Sequence, residues 1–109
     1  MPALSEHDFQ SAVIALAKAA GWLVFHPVPA QIRPGRWATN QSGHVGFPDL
    51  VLAHPRRGLI FAELKTDKGK TSMAQDDWLN TLELAGAEAH VWRPADWPDI
   101  TTRLTGTTL

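Results

Sequence analysis

Apolar residues recur at Phe9, Ala12, Val13, Leu16, Ala17 and Ala20, the spacing of one helix face, behind Ser5 as N-cap and Asp8 in the first turn. The pattern predicts a helix over 5–20, closed by Gly21. The period then changes. Trp22 to His26 has strand composition and stops at Pro27, whereas 27–46 holds three prolines and three glycines among polar residues and reads as a long, mobile loop. Two near-continuous apolar runs follow, 47–53 and 59–65, joined by Pro55-Arg56-Arg57-Gly58. That is the pattern of a hairpin of central strands covered on both faces. Ser72 caps a second helix, whose stripe of Gln75, Trp78, Leu79, Leu82 and Ala85 ends at Gly86. A strand at 89–92 and a short helix at 94–104 complete the chain. The expected fold class is α/β, an αβββαβ core with a mixed central sheet flanked by helices, in a single domain over 1–109.

Composition narrows the function classes. At 109 residues, 44% hydrophobic and 19% charged, the chain is an ordinary globular domain with room for one core. It has no cysteine, which removes disulfides, Cys-ligated zinc, iron–sulfur clusters and thiol nucleophiles. A metal must therefore sit on oxygen or imidazole, and His7, His26, His44, His54 and His90 lack zinc-like spacing. Neither a leader pattern nor an apolar run of about 20 residues is present, so the expected setting is cytoplasmic, without a membrane partner. The net charge of −1 hides a segregation: 27–71 carries seven basic residues (Arg33, Arg36, Arg56, Arg57, Lys65, Lys68 and Lys70) against three acids. The flanks carry three basic residues against eight acids. A basic middle suits a phosphate backbone, and Trp37, beside Arg36, is a candidate for stacking on an unpaired base.

The most informative anomaly is Glu63 and Lys65, charged residues inside a run otherwise built for burial. Strand alternation puts both on one face, about 7 Å apart along the strand. Hairpin pairing brings Asp49 beside them. Two converging carboxylates suit a hard divalent cation, and a neighbouring lysine can hold a water and offset negative charge on phosphorus. The same spacing also fits a buried Glu63–Lys65 ion pair with Asp49 capping a turn after Pro48.

Pro48-Asp49, thirteen residues, then Glu63-Leu64-Lys65, within an αβββαβ order, resembles the PD-(D/E)XK nuclease superfamily and its restriction-endonuclease-like fold. Glu6, Gly46 to Leu52, Phe61 to Lys65, Lys70-Thr71-Ser72, Gln75 and Trp92-Arg93-Pro94 together resemble the VRR-NUC family in its stand-alone, phage-type form. The resemblance implies that Asp49, Glu63 and the Leu64 carbonyl hold Mg²⁺ or Mn²⁺, and that Lys65 orients or activates the attacking water. It makes Glu6 an additional acid and Gln75 a polar residue near the site. Arg33, Arg36, Trp37, Lys68 and Lys70 are the expected DNA contacts, and His44, ahead of Gly46, could approach a phosphate. The implied activity is metal-dependent endonucleolytic cleavage of branched DNA, a four-way (Holliday) junction above all, in repair within a phage-infected or bacterial cell. The implied assembly is a homodimer, with apolar surface for the partner expected around Trp97. The alternatives are a non-catalytic nucleic-acid-binding module, a monomeric nickase, and an RNA-directed nuclease with the same site.

Overall fold

The computed structural model describes residues 4–27, 30–33, 36–38 and 42–107, with 30–33 and 36–38 described by backbone alone. Helix α1 (Glu6–Ala19) begins where Ser5 Oγ accepts the Asp8 amide at 3.0 Å. It ends in a Schellman turn: the amides of Gly21 and Trp22 bond the carbonyls of Lys18 and Ala17, with Gly21 at φ +91°. There follow β1 (Leu23–Phe25), β2 (Ala30–Arg33), β3 (Arg36–Ala38), β4 (Leu50–His54), β5 (Gly58–Leu64), α2 (Met73–Leu84), β6 (Glu88–Trp92), a 3₁₀ turn (Pro94–Asp96) and α3 (Trp97–Thr105). The main sheet runs β1-β4-β5-β6. Its first two pairings are antiparallel and β5–β6 is parallel, with α2 as the crossover. This is a mixed sheet with flanking helices, the α/β class that the chain pattern predicts.

The segment 27–46 departs from the expected loop. Strands β2 and β3 pair antiparallel as a separate two-stranded sheet, Ala30 opposite Ala38 and Gln31 opposite Trp37. Ile32 and Trp37, on either side of Pro34-Gly35 in the sequence, are the β-formers whose signal the proline and glycine count overrode. The mobility expected of the segment and the side chains of Arg33, Arg36 and Trp37 lie outside the described residues.

The core lies between one sheet face and helices α1 and α3. Phe9, Val13 and Ala17 of α1, four residues apart, are buried against Leu50, Leu52, Ile60, Ala62, Leu64 and Trp92 of the sheet and Ile100 and Leu104 of α3. Trp97 shares the α3 face of Ile100 and Leu104 and packs on this core, so it is not the free apolar surface expected of it. Free apolar surface lies elsewhere. The register Leu23–Ala53–Leu59 and Phe25–Val51–Phe61 makes two rows across the opposite sheet face. Leu23, Phe25 and Leu59 in those rows are exposed. The expected burial of both faces fails there because α2 packs toward β6; on that side Trp78 meets Phe47, which in turn meets Phe61 edge-on. Among the described residues no helix is long and apolar enough to cross a membrane.

Arg103 ties α3 to the sheet. Its Nε and Nη2 donate to the two Glu88 carboxylate oxygens at 2.9 Å each, and Nη2 also donates to the Arg57 carbonyl. The guanidinium lies 5.3 Å from the Trp22 ring centroid, and the Trp22 indole N–H donates to the Leu104 carbonyl. The Arg103 hydrogen bonds hold the Glu88 carboxyl below its ordinary 4.5, so their stabilisation is present above that pH and fades as acid protonates Glu88. Glu88→Gln is expected to lose about 1 kcal/mol near pH 7. Urea unfolding should show that difference from wild type narrowing below pH 4.5; a difference that widens in acid would contradict the pairing.

Candidate active site

Strand β4 begins at Leu50, three residues after the apolar run starts, because Pro48 has no amide to donate and Gly46 holds the chain against α2. Gly46 sits at φ +93°, and a Cβ there would stand 2.6 Å from the Ala74 carbonyl carbon. Only glycine fits. The β4–β5 register pairs Leu50 with Ala62, and one residue further it sets Asp49 opposite Glu63 on the same sheet face. The Leu64 amide donates to Asp49 Oδ2 at 2.9 Å, so the carboxylate is pinned across the strands.

Glu63 is 1% exposed, and neither of its carboxylate oxygens has a hydrogen-bond partner. No ion pair joins it to Lys65; the ion pairs among the described residues are His90–Glu88 and Arg103–Glu88. The buried ion-pair alternative is therefore removed, as is Asp49 as a local turn cap. Burial pushes the Glu63 carboxyl up to about 8; Asp49, which can accept the proton of a neutral Glu63 and whose charge repels an ionised one, adds to this, Lys65 opposes it, and the charge of Glu6 adds a little more. A proton or another positive charge must occupy this position at neutral pH.

The remaining candidates sit at varied distances from this pair. Glu6 is exposed in the first turn of α1, near enough for its charge to act on Glu63. Among the described residues no three His, Cys, Asp or Glu side chains stand close enough to hold a metal together. Two carboxylates, completed by backbone, water and substrate oxygen, match Mg²⁺, which uses one or two protein carboxylates; they do not match structural zinc. Half-buried Gln75 belongs to a capping box: its Oε1 accepts the Ser72 amide at 2.8 Å while Ser72 Oγ accepts the Gln75 amide, leaving the Gln75 NH₂ as a donor. His44 is exposed, and its carbonyl faces the Trp78 indole.

The basic residues do not form one patch. Lys65, Lys68 and Lys70 lie at the site end of β5 and in the connector to α2. Arg56 and Arg57 lie in the β4–β5 turn at the other end of the sheet, about 17 Å away by strand rise, where Arg57 Nη2 donates to the Thr105 carbonyl. Contiguity in sequence hid this, because a hairpin sends its turn away from its open end. Two features escaped the chain pattern altogether. Arg93 Nη1 donates to the carbonyls of Thr66 and Gly69 at 2.6 Å each, fixing the connector that carries Lys68 and Lys70. His26 bridges Gln10 and the Asp49 carbonyl. Neither contact has a local signal, since each joins residues at least 16 apart.

The VRR-NUC domain model matches residues 24–96, from within β1 to the end of the 3₁₀ turn, a span that takes in Asp49, Glu63, Lys65 and Gln75 but not Glu6. A solved structure described as a VRR_NUC domain aligns with a TM-score of 0.58 and 25% sequence identity, over 79% of this chain and 81% of that one. No curated protein matches the chain. With the family model covering most of the chain and the sheet and helices aligning alongside it, this protein belongs to the VRR-NUC family and is a nuclease-type domain.

Proposed function

We propose that the protein is a Mg²⁺- or Mn²⁺-dependent endonuclease that hydrolyses phosphodiester bonds in branched DNA, a four-way junction foremost, as a homodimer. The observation that carries the cation is Glu63: two buried carboxylate oxygens without a donor, opposite a second carboxylate whose orientation is already fixed. Asp49, Glu63 and the Leu64 carbonyl would hold the ion, an all-oxygen set suited to a hard cation. When bound, it supplies positive charge to a phosphodiester whose negative charge rises during hydrolysis.

The chain's own groups do the rest. Lys65, on the Glu63 face of β5, holds the attacking water and offsets charge on phosphorus. The water oxygen bonds to phosphorus as its O–H bond breaks, the leaving strand's P–O bond breaks and its oxygen takes up a proton, and a phosphomonoester and a hydroxyl end result. The free NH₂ of Gln75 donates to a phosphate oxygen, and Glu6 adds negative charge that favours the cation. Lys68 and Lys70, on the connector clamped by Arg93, follow the phosphate backbone, and Arg33, Arg36 and Trp37 extend the contact. One domain offers one such site, and symmetric cutting of a junction takes two related by a twofold axis. The exposed Leu23, Phe25 and Leu59 give a second copy apolar surface to bury.

The deciding experiment is cleavage of linear, nicked, flap and four-way DNA with and without Mn²⁺, alongside light scattering. Wild type is expected to scatter as twice the chain mass and to cut the junction in preference to duplex, only with the cation. Asp49→Ala and Glu63→Ala are expected to lose cleavage and Mn²⁺ binding, whereas Lys65→Ala loses cleavage alone. Cutting in excess EDTA would refute the cation. A single-chain species that nicks plain duplex as fast as the junction would refute dimer and substrate together.

Without divalent cation, Glu63 costs stability as pH rises from 4.5 toward about 8, since the folded state keeps a proton that the unfolded chain releases. In EDTA, Glu63→Gln should be the more stable protein at pH 8.5 by on the order of a few kcal/mol, and nearly equal to wild type at pH 4. Thermal unfolding at both values measures this; an advantage that is constant with pH would contradict it.

Lys68→Ala combined with Lys70→Ala should weaken junction binding in Ca²⁺ and reduce the slope of log affinity against log salt by about 2. An unchanged slope would remove the connector from the DNA interface.

A further inference from the structure

His26 lies just beyond β1 and is half-buried between α1 and the start of β4. Its Nδ1 is 2.8 Å from the Asp49 carbonyl oxygen and its Nε2 is 2.9 Å from the Gln10 side-chain nitrogen. A carbonyl oxygen only accepts, so Nδ1 carries the ring proton and Nε2 accepts from the Gln10 amide. The Asp49 carbonyl thereby fixes the tautomer of His26, and Gln10, donating to Nε2, fixes the ring plane.

We propose that Gln10 and His26 are a positioning relay that orients Asp49 for the cation and ties to it the helix bearing Glu6. Asp49 is held at two points. His26 fixes its backbone, and the Leu64 amide fixes Oδ2, which leaves Oδ1 for a ligand. The two holds act on different parts of the residue, His26 on the backbone and Leu64 on the carboxylate, so together they set where the carboxylate stands. Gln10 stands four residues after Glu6 on α1, so both occupy one helix face. The hydrogen bond from Gln10 therefore sets where the Glu6 charge stands relative to Asp49 and Glu63. Groups that orient a ligand without touching the ion commonly contribute 10- to 100-fold in metal affinity.

The relay rests on the reading of Asp49 as a cation ligand, and two measurements separate them. Calorimetry with Mn²⁺ should show His26→Phe binding about 10- to 100-fold more weakly than wild type. His26→Asn, whose side-chain nitrogen falls near the Nδ1 position, should recover most of that loss. Gln10→Leu added to His26→Phe should weaken binding no further, because Gln10 acts through His26. In metal-free protein, hydrogen exchange at the Leu64 amide should quicken in His26→Phe and in Gln10→Leu. If His26→Phe does not fold, Gln10→Leu carries both readouts. Unchanged Mn²⁺ affinity together with unchanged Leu64 exchange would overturn the relay, as would losses that add in the double variant. Should wild type bind no Mn²⁺, the cation reading fails, and Leu64 exchange alone decides whether the relay holds Asp49.

Discussion

Every other feature of the site answers to the burial of one carboxylate. Glu63 occupies a buried strand position on the sheet face away from the main core, and the protein provides no donor for either oxygen. Such a group is costly in the folded state unless a positive partner arrives. The rest of the sheet end makes that arrival possible. The β4–β5 register presents a second carboxylate opposite, the Leu64 amide orients it, and Lys65 stands near without forming an ion pair that would fill the vacant charge. Stability is given up at one point of the hairpin, and the apolar rows beneath it, Leu50 with Ala62 and Leu52 with Ile60, offset the loss.

How much of this the chain spells out depends on the range of each interaction. Helices α1 and α2, their serine caps and the β4–β5 hairpin are local, and their periods and cap residues are readable from neighbouring positions. So is the placement of Asp49 opposite Glu63, because a hairpin with a short turn leaves little freedom of register. Gln75 shows the limit of such reading: Ser72 three residues before it is a capping-box signature, yet the stripe of Trp78 and Leu82 draws the eye to the sheet instead. Long-range contacts leave no trace of this kind. The grip of Arg93 on the connector, the bridge from Gln10 through His26 to Asp49, and the packing of Trp97 on the core follow from how elements meet, not from spacing. The basic stretch 27–71 misled for the same reason, since the β4–β5 turn carries Arg56 and Arg57 to the far end of the sheet.

Helix α3 gives the arrangement its second anchor. The Glu88–Arg103 pair, the Arg57 carbonyl and Trp22 bring α3, β6, the β4–β5 turn and the end of α1 to one place. That cluster lies at the end of the strands away from Asp49 and Glu63. The two ends therefore differ: one is hydrogen-bonded and holds the fold, and the other keeps both Glu63 carboxylate oxygens without a partner.

The pair β2–β3 hydrogen-bonds within itself and stands apart from the main sheet among the described residues, although it lies between two strands that pair with each other, β1 and β4. Closing a loop costs only about 0.6 kcal/mol more for each doubling of its length. Insertions, deletions or replacement of this arm can therefore be accommodated while the β4–β5 pairing that sets Asp49 opposite Glu63 keeps its register. For evolution or engineering, the arm is an exchangeable part on a fixed scaffold.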